Sequence, residues 1–341
     1  MSSPVSINEI LNNVKNLKST DSRSFTANQQ LITLMKGAVL DNYLDSRTVE
    51  LMVNSDGKVF IEKLGEPDIK QICTLDANTV TQIIKIVAGF HGAIVNVEHP
   101  ICEGEFPLDG GRFEGIISPT SGGVGPLFSL RKKAFMIFSL DSYVEKGIMT
   151  AKQRDLIVKA VSEHLNILVV GGTGSGKTTL LNAIIAEKVR QFPNDRFGII
   201  EDTGELQCSA KNYFQLRADS HASMTQLVKA SLRLRPSTVL VGEVRGPEAL
   251  DLIDVWNSGH PGGFATLHSN TAESGLKRLK MMISRNKEAP RDIDPLIGEV
   301  VNVIVNIVRD GKSKAGRVVR KIIRVKGFDE TTGQYLLENY K

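Results

Sequence analysis

The stretch Gly171-Gly172-Thr173-Gly174-Ser175-Gly176-Lys177-Thr178 decides the fold of this chain. It matches the pattern G-x-x-x-x-G-K-[ST], directly after the apolar run at residues 167–170 and directly before a helix pattern. Glycines let the backbone N–H groups turn toward a phosphate chain, and the helix N-terminus adds partial positive charge. The stretch therefore predicts a phosphate-binding loop between a strand and a helix, in preference to an ordinary glycine-rich turn.

The motif assigns separate tasks to its side chains. Lys177 would contact the β- and γ-phosphates of a nucleotide, and Thr178 would offer its hydroxyl to Mg²⁺. We therefore expect ATP and Mg²⁺ as cofactors. The predicted nucleotide-binding residues are Gly171, Gly172, Thr173, Gly174, Ser175, Gly176, Lys177, Thr178 and Thr179.

Short apolar runs alternate with amphipathic helix patterns on both sides of this loop. Strands of a parallel sheet that is covered on both faces have continuous apolar sequences, so this pattern predicts an α/β domain over residues 142–341. Strand-like sequence returns near the end of the chain. The predicted strands are residues 167–170, 197–201, 214–217, 238–241, 264–268, 302–308, 318–325 and 335–337.

The sequence pattern of residues 1–141 predicts a smaller α/β domain. Ser6 and Glu9 form a capping-box pattern that predicts an N-terminal helix, and the polar residues 19–24 predict a linker. Residues 49–63 predict a β-hairpin around an Asn-Ser-Asp-Gly turn. A helix at 79–90 and extended pieces at 112–118 and 127–131 complete this predicted domain.

Carboxylates stand at the ends of two of the apolar runs. Glu201 and Asp202 end one run, Glu205 follows shortly after, and Glu243 follows another run. Doubly wound sheets place their sites at the carboxyl ends of the strands. Carboxylates after strands are also common helix caps, which is the alternative for each of them.

An ordinary Walker B strand carries Asp directly before its Glu, but Gly242 stands at that position here. The magnesium-side carboxylate must then come from elsewhere in the chain. Asp202 and Glu205 are the predicted metal ligands beside Thr178, and Glu201 is a predicted catalytic residue. Glu243 is predicted to position or deprotonate the attacking water.

His268 ends the apolar run at residues 264–268. A histidine near a γ-phosphate could sense its presence and pass that state to a neighbouring element. A structural role for a lone histidine is the alternative.

Composition excludes several classes of protein. With 341 residues, of which 41% are hydrophobic, the chain is long enough for two domains. Its three cysteines are far apart, which argues against a disulfide framework or a thiolate zinc site and favours reduced thiols in the cytosol. It contains neither a run of eighteen apolar residues nor a leader pattern, so we expect no membrane span.

The net charge of +4 is distributed unevenly. Residues 309–326 contain eight basic residues and one acidic residue, which is +7, so the rest of the chain sums to −3. This basic segment could contact an anionic membrane, or it could be a solvated edge hairpin that its charge protects from pairing. Aromatic residues make up only 6% of the chain and are not interleaved with these basic residues, so we expect no sequence-specific binding of nucleic acid.

As a set, four boxes resemble the traffic ATPases of type IV secretion and conjugation. They are the phosphate loop, the acidic box at 200–206, the atypical Walker B box at 241–246 and the box ending in His268. The phrase Val-Trp-Asn-Ser-Gly-His-Pro-Gly-Gly at residues 255–263 is particularly similar to the conjugative-transfer branch called TrbB. The resemblance covers nearly the whole chain.

This resemblance implies a PAS-like amino-terminal domain and a RecA-like ATPase domain, with nucleotide held between them and six subunits in a ring. It also implies that Arg131 and Arg112 reach the phosphates from the amino-terminal domain. The expected partners are membrane-embedded secretion or conjugation components, contacted from the cytoplasmic side of a bacterial inner membrane. The tetracysteine zinc module of many type II secretion ATPases is missing from the sequence, which argues against that branch.

Other functions fit parts of this pattern. One is a motor for type IV pilus or type II secretion assembly, and another is a nucleotide-gated assembly scaffold with little hydrolysis. A small-molecule kinase would need an arginine-rich lid after the core strands, and no such insertion is seen. A DNA-driven motor would need a basic groove with stacking aromatics.

Overall fold

The computed structural model describes residues 22–339 apart from 65, 67, 119–124, 133–136 and 220. The predicted helix around Ser6 and Glu9 lies outside the described residues. The chain divides into two compact units, Met1–Phe135 and Met136–Lys341.

The first unit is a mixed α/β fold around a six-stranded antiparallel sheet with strand order β3-β2-β1-β6-β5-β4. Residues 22–24, which the sequence predicted as part of a linker, instead begin its first helix. The elements are α1 (Ser22–Met35), α2 (Ala38–Leu44), β1 (Thr48–Val53), β2 (Lys58–Lys63), β3 (Lys70–Thr74), α3 (Ala77–Phe90), β4 (Ile101–Glu105), β5 (Arg112–Ile116) and β6 (Leu127–Arg131).

Helix α3 supplies much of the core of this unit. Asp76 caps the helix by accepting a hydrogen bond from the backbone N–H of Thr79 at 2.9 Å. Val80, Ile83, Ile84 and Val87 recur at helical spacing and are fully buried. They pack in one hydrophobic cluster with inward-facing residues of the sheet, which fixes the helix on one sheet face.

The second unit is built on an eight-stranded sheet with strand order β14-β13-β12-β7-β11-β10-β8-β9. Its elements are α4 (Leu140–Glu145), α5 (Ala151–Ser162), β7 (Ile167–Gly171), α6 (Lys177–Gln191), β8 (Phe197–Glu201), β9 (Tyr213–Arg217), α7 (Met224–Ser231), β10 (Thr238–Val244), α8 (Glu248–Asn257), β11 (Phe264–His268), α9 (Ala272–Ile283), α10 (Asp294–Val300), β12 (Val303–Arg309), β13 (Arg317–Asp329) and β14 (Gln334–Asn339).

Six neighbouring strands of this sheet, from β9 to β12, run parallel, whereas β13 and β14 continue it antiparallel. Every residue of β7 and of β8 is buried. Leu168 and Val170 pack into the cluster on one face, and Ile167 and Val169 pack into the cluster on the other. The predicted α/β fold with a parallel sheet covered on both faces is confirmed.

The basic segment forms most of the β12–β13 hairpin. Strand β13 pairs with β12 along residues 317–324 and with β14 along residues 323–329, so in the described part of the chain β14 covers only the end of this segment, and the edge-hairpin interpretation stays a prediction. Several of its basic side chains also pair with carboxylates, among them Lys321 with Glu273, Arg324 with Glu163 and Lys326 with Glu338.

Helix α4 belongs to the second unit. Leu140 and Tyr143 of α4 pack into a core cluster of the second unit together with Ile157 of α5. Among the described residues, no helix has the length and apolar character needed to cross a membrane.

Candidate active site

The phosphate loop joins the end of β7 to the start of α6. Gly174 and Gly176 have φ angles of +66° and +95°, in the left-handed region that side chains other than glycine rarely adopt. Alternation of left-handed and right-handed residues turns successive N–H groups toward one concavity, which suits an anion. The loop geometry thus fits the phosphate chain that the sequence motif predicted.

Lys177 lies at the first position of α6 and is only 7% exposed. Its Nζ donates a hydrogen bond to the carbonyl of Gly172 at 3.1 Å, across the loop. The ammonium group is therefore held close to the concavity, where it can meet phosphate oxygens after a small movement of its side chain.

His268 lies beside this lysine because of the strand order. Strand β11 pairs with β7 in a register that sets His268 opposite Gly171. Both ring nitrogens of His268 lie 3.3 Å from Nζ of Lys177, and its Nε2 lies 2.7 Å from Oε1 of Glu243. The histidine thus connects the phosphate loop to the predicted water-orienting carboxylate.

Glu243 occupies an irregular part of β10. Between Val241 and Val244 this strand gains one residue relative to β11, and Thr266 of β11 donates a hydrogen bond to the carbonyl of Gly242 at 2.7 Å. Such bulges re-aim side chains next to active sites. Glu243 lines a cleft that is also lined by Thr178.

The glycine that replaces the usual aspartate of a Walker B strand has a steric reason. A Cβ atom at Gly242 would lie 3.0 Å from Cγ and 3.2 Å from Oε1 of Glu201 on the neighbouring strand β8. The side chain of Glu201 therefore fills the space in which an aspartate at position 242 would have to lie.

Glu201 is itself fully buried and extensively hydrogen-bonded. Its Oε1 accepts from the backbone N–H groups of Glu205 and Leu206 at 2.9 and 2.7 Å, and its Oε2 accepts from the amide of Gln215 at 2.6 Å. Burial raises the pKa of this carboxyl, and the hydrogen bonds oppose that rise only in part. The arrangement orders the acidic loop after β8.

Asp202 and Glu205 line the same cleft as Thr178 and Glu243. No group of three or more His, Cys, Asp or Glu residues within the described parts of the chain could hold a metal ion by itself. Nucleotide-bound Mg²⁺ typically takes only one or two carboxylates and fills its other positions with phosphate oxygens and water. The hydroxyl and the two carboxylates therefore fit a nucleotide-dependent magnesium site.

Arg245 was not among the predicted site residues, and it pairs with two of them. Its guanidinium contacts the carboxylate of Asp202, and its Nε donates to Oε2 of Glu243 at 2.7 Å. Desolvation opposes the charged form of Arg245, but Glu243 and Asp202 raise its pKa overall. Its position two residues after Glu243 in the Walker B box was the available signal.

Asn182 is a second residue that sequence reasoning missed. It lies one turn after Thr178 on α6 and is 2% exposed. Its side-chain amide donates to the carbonyl of Glu205 at 3.1 Å and accepts from the N–H of Gln207 at 2.9 Å. This asparagine ties the acidic loop to the helix that begins in the phosphate loop.

Arg112 and Arg131 belong to the first unit. They lie directly opposite each other on the paired strands β5 and β6. Because directly opposed residues of an antiparallel pair share one face of the sheet, the two guanidinium groups can act on the same anion. Their contact with nucleotide stays a prediction.

Comparison with known proteins gives the family of the chain. Residues 35–335 match the model of the type II/IV secretion system protein family. A probable conjugal transfer protein TrbB of Sinorhizobium fredii is 44% identical over 295 residues, covering 86% of this chain and 88% of that protein. The type IV secretion system protein VirB11 of Brucella suis is 27% identical over 315 residues, covering 82% and 86% of the two chains.

The fold has solved counterparts as well. The ATPase DotB of Legionella pneumophila is similar with a TM-score of 0.60 and 18% identity, over 97% of this chain and 82% of that one. The family match covers most of the chain, and the sequence similarity to TrbB extends over both units. The chain therefore belongs to the type II/IV secretion system protein family, within its TrbB-like conjugal transfer branch.

Proposed function

We propose that this chain is a magnesium-dependent ATPase that powers assembly of, or substrate transfer through, a type IV secretion or conjugation apparatus. The observation that carries the proposal is the common cleft of Thr178 and Glu243. A nucleotide held in the phosphate loop by its terminal phosphates would present them to the carboxylate that aims the water. Binding and hydrolysis are then served by neighbouring groups.

Each residue has a proposed task in this reaction. The loop amides and Lys177 bind the β- and γ-phosphates and stabilise the charge that develops on them. Glu243 accepts a hydrogen bond from the attacking water and orients it. Thr178, Asp202 and Glu205 would hold Mg²⁺, which supplies charge neutralisation to the phosphate oxygens when bound. His268 senses the γ-phosphate through its contacts with Lys177 and Glu243.

Arg245 must exchange partners during this cycle. In the described conformation it engages Glu243 and Asp202 together, so neither carboxylate is available for its proposed task. Movement of its guanidinium frees both. The same pairing supports the second candidate, a nucleotide-gated scaffold with little hydrolysis, in which Arg245 keeps Glu243 occupied.

The proposed oligomeric state, location and partners follow by analogy with the family. We propose a ring of six chains at the cytoplasmic face of the bacterial inner membrane, working with membrane-embedded secretion or conjugation components. In the nucleotide-bound state Arg131 and Arg112 of the PAS-like amino-terminal domain would contact the phosphates, so that the nucleotide is shared by both domains. Exposed Lys312, Lys314 and Arg320 remain candidates for contact with anionic lipid.

Steady-state ATP turnover of Lys177→Ala tests the assignment of the phosphate loop. Removing the ammonium should abolish turnover to within the assay background, because the charge on the terminal phosphates loses its main counter-charge. Lys287→Ala, at an exposed position after α9, is the matched control and should keep wild-type turnover. A Lys177→Ala chain that hydrolyses ATP at the wild-type rate would reject the proposed site.

A further inference from the structure

The two arginines at the base of the β12–β13 hairpin lie against the phosphate loop. Arg309 ends β12, Arg317 begins β13, and the two residues are directly opposite each other in the antiparallel register. Their side chains therefore share one face of the sheet. A backbone hydrogen bond from the N–H of Asp310 to the carbonyl of Gly316, at 2.9 Å, closes the turn that joins the strands, so the hairpin presents the pair as a unit.

Both guanidinium groups pack on the left-handed glycines of the loop. Nε of Arg309 donates a hydrogen bond to the carbonyl of Gly174 at 3.1 Å, and a Cβ atom at Gly174 would overlap this guanidinium. A Cβ atom at Gly176 would lie 2.7 Å from Nη1 of Arg317. The absence of side chains at these two glycines thus lets the arginines reach the backbone of the phosphate loop.

The order of the strands shows which end of a nucleotide these arginines face. Glu243 and His268 lie on β10 and β11, on one side of β7, whereas β12 and β13 lie on its other side. A nucleotide whose γ-phosphate faces Glu243 has its phosphate chain in the loop at the end of β7. Its nucleoside must then leave the loop on the β12–β13 side, where Arg309 and Arg317 lie.

The chemistry of the pair suits that end of the ligand. A guanidinium is planar, stacks on the faces of aromatic rings and carries several N–H donors for ribose or phosphate oxygens. Both guanidinium groups also attract an anionic nucleotide.

We propose that Arg309 and Arg317 form a nucleoside wall, which binds the base and ribose of the nucleotide held by the phosphate loop. This inference rests on the proposed function and names binding residues outside the four sequence boxes. It also gives a role to two members of the basic segment.

Calorimetric titration with two ligands tests the wall. ADP carries a nucleoside, whereas inorganic tripolyphosphate carries only the phosphate chain. Arg317→Met and Arg309→Met keep most of the apolar stem and remove the charge. Each should weaken ADP binding about tenfold, the size expected for loss of one cation–π or charge-assisted contact, and leave tripolyphosphate binding within about threefold. Lys312→Met and Lys314→Met, in the turn of the same hairpin, should leave both ligands unaffected.

Two results would overturn the wall. One is wild-type ADP affinity in a variant that carries both Arg309→Met and Arg317→Met. The other is an equal loss of affinity for both ligands in variants that unfold at the wild-type temperature, because that result would mean that the arginines only support the shape of the loop. A wild-type chain that binds ADP but never hydrolyses ATP would contradict the ATPase proposal alone, since the same titration still decides the wall.

Discussion

At the scale of single residues, the buried side chain of Glu201 accounts for the glycine at position 242. The sequence showed that the usual aspartate was missing from the Walker B strand, and the structure shows that a buried glutamate from the next strand fills its place. That glutamate uses both carboxylate oxygens to hold the acidic loop. We infer that Glu201 is a positioning residue and that Asp202 and Glu205 remain the metal-side candidates.

This role predicts different outcomes for two substitutions at Glu201. In Glu201→Gln the remaining oxygen still accepts from the N–H groups of Glu205 and Leu206, and Gln215 can turn its amide, so we expect turnover within about threefold of wild type. Glu201→Ala removes the acceptor of the Leu206 N–H, whereas the N–H of Glu205 keeps the carbonyl of Thr203 at 2.8 Å, so the free energy of unfolding should fall by about 1–3 kcal/mol. Turnover and urea unfolding measure the two effects.

A direct catalytic role for Glu201 would have a different signature. A carboxylate that binds metal or accepts a proton cannot be replaced by an amide, so Glu201→Gln would then reduce turnover by about 100-fold or more. Unchanged stability of Glu201→Ala would likewise contradict the proposed hydrogen-bonding role.

Sequence reasoning could find the residues whose spacing is fixed by a local motif. The loop residues from Gly171 to Thr178 fall in this group, since the geometry of a strand–loop–helix unit follows from its own sequence. Arg309 and Arg317 could not be found in this way. Their contacts depend on which strands are neighbours, and strand order is not encoded in any short stretch of the chain.

At the scale of elements, buried Lys188 connects the far end of α6 to the loop before β11. Its Nζ donates to the carbonyl of Gly262 at 2.8 Å and lies over the rings of Phe192 and Phe264. Burial lowers the pKa of Lys188 to about 8. This contact links the helix that begins at Lys177 to the strand that ends at His268.

The depressed pKa of Lys188 predicts a rise of stability with pH. An unfolded lysine keeps its proton up to about pH 10.4, whereas the folded one begins to lose it near pH 8. Between these values the unfolded state binds more protons, so the free energy of unfolding increases. From pH 7 to pH 9.5 this residue should add about 2 kcal/mol.

Comparison with Lys188→Met isolates this effect, because other groups titrate over the same range in both chains. The wild type should gain about 2 kcal/mol relative to the variant between pH 7 and pH 9.5, measured by urea unfolding at each pH. Parallel pH profiles for the two chains would contradict the assigned pKa.

The elements of the second unit were largely predictable, because buried parallel strands leave continuous apolar runs in the sequence. Strands β8 and β11 have the predicted bounds. Helices α1 and α2 were not predicted, since α1 begins in polar sequence that also fits a linker. The bulge in β10 could not be predicted either, because it arises from the pairing of that strand with β11.

At the scale of the whole molecule, the proposed ring of six chains can be tested by its mass in solution. Light scattering should give six times the mass of one chain when a non-hydrolysable ATP analogue and Mg²⁺ are present. A ligand that binds the assembled state more tightly than the single chain shifts the equilibrium toward assembly by mass action. A mass of one or two chains at every protein concentration, with and without the analogue, would contradict the ring.

Hydrolysis at the cleft shared by Thr178 and Glu243 is the central claim, and single-turnover phosphate release tests it most directly. With Mg²⁺ and enzyme in excess over ATP, wild type and the exposed-carboxylate control Glu330→Gln should release one phosphate per ATP. Glu243→Gln should bind ATP normally and release phosphate at least about 100-fold more slowly, a loss of about 2.7 kcal/mol of transition-state stabilisation. Release by Glu243→Gln at the wild-type rate, or no release by the wild type, would contradict the account.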